Sequence, residues 1–342
     1  MISISNYLSS ISSIIFIEII FIISLLYLHR KIAIKYNIFV ALPEKRSSHL
    51  EPTPKGAGLM IVIAYLGCYL LSGYDYSNLH VLIIGIFIAT VYGFLDDFRD
   101  RGAIPKLIIQ MIMSSLLIFS FSDYISNAIP FDGLLNYLMQ FIIWFLLVWF
   151  ANAINFMDGI DGMLSSGSFC ILLSISIILV LSGVAIDQLF FIHLLLPCLI
   201  IFLFFNFSKQ KIFLGDSGSL FLGYFISFLV LHSLREYNLD IWVWLIVLSH
   251  FLVETTGTTL IRFFMLKEWY KPHKSHAYQN LARISSNHKK VTSFAILYNL
   301  FWLLPLAYFY IKQPDYAIFL FMLSFLPVMI FTIRYGPIFS SD

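Results

Sequence analysis

Long apolar runs alternate with short polar connections along the whole chain, which is the pattern of a protein that crosses a membrane many times. About 20 apolar residues cross the ~30 Å hydrocarbon core as a helix, in which the backbone polar groups are satisfied internally. We therefore predict an all-α polytopic bundle of about 11 transmembrane helices, forming one membrane-embedded domain over residues 1–342. The predicted spans are 8–28, 56–73, 79–95, 105–121, 134–151, 163–182, 188–207, 217–234, 240–262, 291–311 and 316–334.

The composition excludes a soluble globular protein, because 60% of the residues are hydrophobic, only 12% are charged and the mean hydropathy is +0.88. We expect no nucleic-acid partner. The N-terminal apolar run lacks a preceding basic region and a small-residue cleavage site, so we expect a retained span. Cys68, Cys170 and Cys198 lie within apolar runs and form no disulfide or metal pattern.

The basic residues predict the orientation of the spans. Of the 21 Lys and Arg residues, all but Arg235 and Lys312 fall on the side that includes residues 29–55. Cytoplasmic loops carry the excess of Lys and Arg. The N-terminus is therefore expected outside the membrane and the C-terminus in the cytoplasm.

The stretch 152–162, Asn-Ala-Ile-Asn-Phe-Met-Asp-Gly-Ile-Asp-Gly, joins two spans on the predicted cytoplasmic side. Its two amides and two acids are spaced by three, so adjacent members of the row share a helix face. Successive members of the row are rotated by roughly 60° around the helix axis, so all four cannot point the same way. Gly159 and Gly162 also weaken a helix. We expect a helix to start or stop here, which lets the acids converge. The alternative is a plain polar connector.

Further acids lie on the same side of the membrane: Asp96 and Asp97 end one span, and Asp216 precedes another. Each has a structural alternative, since an Asp-Asp pair can be a polar cap and Asp216 or Ser217 can cap a helix. Together with Asp158 and Asp161 they make five carboxylates at one membrane face. Their repulsion calls for a cation.

Hard oxygen ligands indicate Mg²⁺, with Mn²⁺ as an alternative, shared with a substrate phosphate. Zinc is disfavoured because there is no Cys cluster and no third ligand near His273 and His276. The alternative for His273 and His276 is that they belong to a solvated basic loop. Acids, a metal and basic loops favour phosphoryl transfer between a cytoplasmic nucleotide and a lipid phosphate. The basic candidates are Arg46, Lys55, Arg99, Arg101, Lys106, Lys209, Lys211, Lys271, Lys274 and Arg283.

These motifs together resemble the polyprenyl-phosphate N-acetylhexosamine-1-phosphate transferase family, also called glycosyltransferase family 4. The resemblance covers nearly the whole chain and rests on Pro54-Lys-Gly-Ala-Gly58, Phe94-Leu-Asp-Asp97, the stretch 152–162, Asn206 with Phe213-Leu-Gly-Asp-Ser-Gly-Ser219, and the His273/His276 loop. It implies an enzyme of the bacterial inner membrane with a cytoplasmic site. The implied reaction is transfer of a sugar 1-phosphate from a UDP-sugar to undecaprenyl phosphate, which releases UMP and starts a surface polysaccharide.

The resemblance also implies roles for individual residues. Asp216 is expected to bind Mg²⁺, and Asp96 and Asp97 to lie near the metal and the attacking phosphate, with Asp97 as a second candidate ligand. His273 and His276 are expected to contact the diphosphate. The remaining expected site residues are Asn152, Asn155, Asp158 and Asp161 on the nucleotide side, Asn206 and Phe213 at the uridine, and Arg46, His49, Lys55 and Arg283 as substrate-binding candidates.

Within the family, Glu44-Lys-Arg-Ser-Ser-His49 and the histidine loop are most similar to the initiating transferases for O-antigen (lipopolysaccharide) and capsule. Glu254 is more like the peptidoglycan enzyme, phospho-MurNAc-pentapeptide transferase, which is one alternative. An ion-coupled transporter is another, although its acids would lie near the midplane and within repeats. The residues 255–259, Thr-Thr-Gly-Thr-Thr, suggest a break in the ninth span near Glu254. Glu18 is expected to face a neighbouring helix, and a homodimer is a family-based expectation.

Overall fold

Helices account for nearly all of the secondary structure of the chain. The computed structural model describes residues 4–41, 52–74, 79–208, 211–265 and 273–339. Within these ranges the α-helices are α1 (Ile4–Tyr36), α2 (Ala57–Leu71), α3 (His80–Phe98), α4 (Ala103–Ser120), α5 (Ser122–Ala128), α6 (Leu134–Phe156), α7 (Met163–Leu181), α8 (Phe190–Phe207), α9 (Asp216–Glu236), α10 (Ile241–Val247), α11 (Ser249–Phe264), α12 (Ala277–Ser285), α13 (His288–Tyr298), α14 (Leu304–Lys312) and α15 (Ala317–Tyr335).

Short elements join some of these helices. Two 3₁₀ turns, Ile186–Leu189 and Pro314–Tyr316, precede α8 and α15, and a π-helical turn, Asn299–Leu303, joins α13 to α14. Strands β1 (Val40–Ala41) and β2 (Thr53–Pro54) pair antiparallel. The protein is therefore all-α in class, as predicted.

The helices also support a polytopic membrane protein. By length and composition, nine spans within the described residues can cross a membrane, or ten if the bent pair α10–α11 is one span, and α2 is a shorter apolar helix. Each of the eleven predicted spans overlaps one of these elements. The number of spans and their orientation stay predictions.

The contacts divide the chain into two compact units, so the single domain expected from the sequence also stays a prediction. The first unit comprises Met1–Asn155 and Ala185–Tyr237. Its core is α9, which is buried along nearly its whole length and packs against α3. Small residues allow this approach, because a Cβ at Gly93 would overlap the backbone of Ser217 and one at Gly85 the ring of Tyr224.

The second unit comprises Phe156–Val184 and Asn238–Asp342. Helices α10 and α11 meet at Leu248 with a bend of 67°. A break in this span was predicted near Glu254, but α11 runs unbroken to Phe264. The position was wrong because Thr255 and Thr259 do not open the helix: each hydroxyl donates to the carbonyl four residues earlier, at 2.7 and 2.9 Å.

Candidate active site

Two polar clusters contain six of the fifteen residues predicted to be functional. The carboxylate cluster, in the first unit, consists of Asp96, Asp97, Lys106, Asn155 and Asp216. The histidine cluster, in the second unit, consists of Glu254, Arg262, His273, Ser275 and His276.

The carboxylate cluster begins at the last turn of α3, where Asp96 and Asp97 are both buried. Adjacent helical residues diverge by about 100°, so the two carboxylates meet different partners. Asp96 Oδ1 accepts a hydrogen bond from the backbone N–H of Arg101 at 2.9 Å. This bond closes the turn into α4, whose first turn carries Lys106.

Asp97 binds the N-terminus of α9. Its Oδ1 accepts from the Asp216 backbone N–H at 2.9 Å, and its Oδ2 accepts from the Ser217 N–H at 3.0 Å and hydroxyl at 2.8 Å. The first N–H groups of a helix lack intrahelical partners, and the helix dipole favours an anion there. Asp97 therefore caps α9 from another helix, whereas the sequence had offered Asp216 or Ser217 as the cap.

The residue before this helix must be glycine. Gly215 has a φ of 77°, a left-handed conformation that side chains disfavour. A Cβ at this position would also overlap the carboxylate of Asp97. The backbone of this loop therefore lies in close contact with the Asp97 carboxylate.

Asp216 is surrounded by polar partners. Its Oδ1 accepts from Lys106 Nζ at 2.8 Å and from Asn155 Nδ2 at 3.1 Å. Asn155 Nδ2 also reaches Ser219 Oγ at 3.2 Å, which fixes the amide. Lys106 Nζ lies 3.7 Å from Asp96 Oδ2, so one ammonium serves two carboxylates. The charge of Lys55 also acts on Asp216.

This donor set fits a hard divalent cation. Lys106 contacts both Asp96 and Asp216, and two carboxylates that share one ammonium repel each other unless a cation neutralises them. Mg²⁺ is usually held by one or two carboxylates and completed by phosphates and water. In keeping with this, the described residues contain no group of three or more His, Cys, Asp or Glu side chains able to hold a metal by themselves. Three of the roughly four acceptor positions of the Asp97 carboxylate are already used by α9, so the geometry favours Asp96 as the partner of Asp216.

The segment after β2 and the loop before α9 lie side by side. Phe213 N–H donates to the Pro54 carbonyl at 2.7 Å, and Gly58 N–H donates to the Leu214 carbonyl at 2.9 Å. Asn206 is buried and donates from Nδ2 to the Ile212 carbonyl at 2.8 Å, which folds this loop back. Asn206 and Phe213 thus shape the loop that leads to Asp216. Their predicted contacts with uridine stay predictions.

The histidine cluster is organised by α11. Glu254 Oε2 lies 2.9 Å from His276 Nδ1, and Glu254 Oε1 accepts from the Ala277 backbone N–H at 2.8 Å. Arg262 donates from Nη1 to Ser275 Oγ at 2.9 Å, and Ser275 Oγ lies 3.1 Å from His273 Nδ1. The two imidazoles stack with their centroids 5.1 Å apart.

Asp158 and Asp161, at the end of the polar stretch, differ in their surroundings. Asp158 is exposed, whereas Asp161 is buried with its Oδ2 3.1 Å from His288 Nδ1. The Thr292 hydroxyl donates to the Asp161 carbonyl at 2.7 Å. The carboxylate of Asp161 is thereby held by α13, and Asp158 is the acid of this pair that is open to solvent.

Tyr278 fixes the backbone within the stretch 152–162, at the end of α6. Its hydroxyl donates to the Phe156 carbonyl at 2.5 Å. Burial, followed by the charge of Glu254, raises the pKa of the Tyr278 phenol well above its usual value. It remains a neutral hydrogen-bond donor at any physiological pH.

Sequence comparison supplies the family. The sequence model of glycosyl transferase family 4 matches residues 79–234, which contain the whole carboxylate cluster. A probable undecaprenyl-phosphate N-acetylglucosaminyl 1-phosphate transferase of Bacillus subtilis is 32% identical over 269 residues, which are 76% of this chain and 74% of that protein. The chain belongs to glycosyl transferase family 4.

Two further relatives are similar over shorter stretches. The phospho-N-acetylmuramoyl-pentapeptide-transferase of Streptococcus gordonii is 32% identical over 202 residues, 55% of this chain and 62% of that protein. The enzyme of the same name from Listeria monocytogenes is 30% identical over 239 residues, 65% of this chain and 71% of that protein. This chain is thus a multi-pass membrane enzyme of a family of phosphosugar transferases.

The remaining predicted residues of this family 4 protein lie apart from both clusters or outside the described ranges. Arg46 and His49 lie outside the described residues. Asn152 turns back on its own helix, with Nδ2 donating to the Val148 carbonyl at 3.1 Å. Arg283 is exposed and donates to the carbonyl of Lys274 at 2.8 Å and to Asn280.

The structure also adds residues that the sequence did not assign to the site. Lys106 had been named only as one of many basic residues, although a turn of four residues after α3 is enough to return it to Asp96. Glu254 and Arg262 carried a clearer signal, because charged side chains within membrane helices mark functional positions. No sequence signal identified Ser217, Ser275 and His288 as site residues, because each is an ordinary polar residue until its partner is known.

Proposed function

We propose that the chain transfers an N-acetylhexosamine 1-phosphate from a UDP-sugar to undecaprenyl phosphate, giving undecaprenyl-diphosphate-sugar and UMP. Membership of family 4 and the name of the Bacillus subtilis relative support the reaction class. The excess of basic residues on one side supports a site on the cytoplasmic face of the bacterial inner membrane.

The arrangement of Asp96, Lys106 and Asp216 carries this proposal. Phosphoryl transfer depends on positioning and on neutralising charge, rather than on complex covalent chemistry. Lys106 bridges the two carboxylates and brings a positive charge to the position where a diphosphate would meet them. Mg²⁺, held by Asp216 and Asp96, would neutralise the phosphate oxygens when bound.

Other residues of the chain orient this group. Asn155 fixes the Asp216 carboxylate through its amide, and Asp97 holds the N-terminus of α9 on which Asp216 stands. The contacts of His273 and His276 with the donor diphosphate stay predictions. The exposed acid Asp158 would face the nucleotide.

The test is release of UMP by the purified full-length protein with undecaprenyl phosphate and a panel of UDP-GlcNAc and UDP-GalNAc. We expect UMP with at least one donor, loss of activity with EDTA, and recovery on adding Mg²⁺. Asp216→Asn should abolish turnover, whereas Asp123→Asn, at an exposed acid outside both clusters, should not. Absence of UMP with every donor would refute the proposal.

The second candidate is the peptidoglycan reaction, in which UDP-MurNAc-pentapeptide is the donor. The two pentapeptide-transferase relatives and the glutamate at position 254 favour it. Against it, the loop His273-Lys-Ser-His276 lacks the run of three histidines that is usual in the peptidoglycan enzyme. Adding UDP-MurNAc-pentapeptide to the donor panel separates the two reactions, because a single donor should support most of the turnover.

A further inference from the structure

Helix α11 carries two buried charges that the proposed reaction does not use. Glu254 is 0% exposed and Arg262 is 6% exposed. They are eight residues apart, or about 12 Å along the helix. Burying a charge is costly unless it is paired and hydrogen-bonded, so each of these residues calls for an explanation. Both reach the same short segment, 273–277.

The carboxylate of Glu254 makes two different contacts. Oε1 accepts from the Ala277 N–H at 2.8 Å, at the first turn of α12, where an anion is favoured. Oε2 lies 2.9 Å from His276 Nδ1. A carboxylate only accepts hydrogen bonds, so Nδ1 must carry the proton. The other nitrogen, Nε2, is then the one left to face a ligand.

Arg262 acts on the other imidazole through a serine. Its Nη1 donates to Ser275 Oγ at 2.9 Å, and that oxygen lies 3.1 Å from His273 Nδ1. Ser275 is fully buried, so its hydroxyl cannot turn to solvent. The guanidinium thereby fixes the position of the Ser275 hydroxyl beside His273 Nδ1.

We infer that Glu254 and Arg262 are positioning residues: Glu254 sets the tautomer and direction of His276, and Arg262, through Ser275, sets the direction of His273. Helix α11 thereby fixes how both rings present their Nε2 atoms. The catalytic consequence rests on the proposed function, in which these rings meet the donor diphosphate. The tether itself, meaning the hydrogen bonds that hold segment 273–277 to α11, does not depend on that function.

A purely structural ion pair is the competing explanation, because buried pairs often contribute little to net stability. Two observations favour positioning. Glu254 contacts the imidazole itself rather than only the backbone, and His276 is packed between Phe156 and Tyr278, with centroid distances of 5.9 and 5.7 Å. The ring therefore has its plane set by packing and its protonated nitrogen set by Glu254.

The tether is tested first without any activity assay, by hydrogen exchange of the full-length protein in detergent. Glu254→Ala removes the acceptor of the Ala277 N–H, so exchange in peptides from the start of α12 should rise about tenfold. Glu254→Gln keeps one acceptor oxygen, so these peptides should stay protected. The matched control is Glu18→Gln, at another carboxyl that is 0% exposed and contacts Cys198. Unchanged exchange in Glu254→Ala would overturn the tether.

Positioning is tested by turnover per nucleotide-binding site, with the sites counted by UMP binding so that misfolded protein does not contribute. In Glu254→Gln the amide can present N–H to His276 Nδ1 and force the other tautomer. Loss of such a supporting contact typically costs 10–100-fold, and we expect a loss of that size. Glu254→Gln should add nothing in a His276→Gln background.

The outcomes are distinct. Turnover per site within twofold of the wild type in Glu254→Gln overturns positioning, even if exchange supports the tether. Independent, multiplying losses in the double variant also overturn it, because Glu254 would then act other than through His276. If no donor supports turnover in the wild type, the proposed function fails, and hydrogen exchange alone decides the tether.

Discussion

The bond between Asp97 and the N-terminus of α9 gives the sharpest prediction. Asp97→Asn keeps the size of the side chain but replaces one acceptor oxygen with an N–H₂ donor. The carboxylate accepts three hydrogen bonds, from two backbone N–H groups and one hydroxyl. The amide cannot accept from all of them, and its N–H₂ group must face a backbone N–H.

The magnitude follows from these contacts. Leaving a buried donor unsatisfied costs about 1–3 kcal/mol, and losing an anion at a helix N-terminus costs about 0.3–1 kcal/mol more. We therefore expect Asp97→Asn to be about 1–4 kcal/mol less stable than the wild type. For a chain of this length, an unfolding entropy near 2.1 cal/mol/K per residue converts this to a midpoint lowered by roughly 2–6 °C.

The assay is thermal unfolding in detergent, alongside UMP release. Turnover should be lost as well, because Asp216 stands on the turn that Asp97 holds. Ser217→Ala removes only the hydroxyl contact and is the matched control, with an expected loss of about 1 kcal/mol. If Asp97→Asn unfolds within 1 °C of the wild type, Asp97 does not cap α9.

Three further outcomes are expected. Lys106→Met should lower turnover by about 10²–10³-fold, since it removes the charge shared by Asp96 and Asp216, and residual activity above a fifth of wild type contradicts that role. Gly215→Ala should lower the unfolding midpoint more than Ser217→Ala does, because it combines a positive φ with overlap on Asp97. Lys274→Cys, at an exposed position, should react with an impermeant maleimide only from the cytoplasmic side, and labelling of intact cells would reverse the predicted orientation.

Local pattern was sufficient to predict the class of protein. An apolar run of about 20 residues selects a helix in lipid without information from the rest of the chain, so each predicted span overlaps an apolar helix. The same reasoning failed for the bend in α10–α11. It fell at Leu248, where no Gly or Pro marks a break and only Ser249 and His250 interrupt the apolar run, rather than at the Thr-rich segment that followed Glu254.

The sequence by itself determined which polar residues stand at the ends of apolar runs, and from these it predicted that carboxylates and histidines form a site. It did not distinguish the roles of Asp96 and Asp97, which are adjacent and chemically identical. Only tertiary structure separates them, since one faces Lys106 and the other caps a helix that begins 119 residues later. In the same way, Glu254 became the partner of His276 only through folding. A side chain's role in a site is set by its partners, and these partners come from distant parts of the chain.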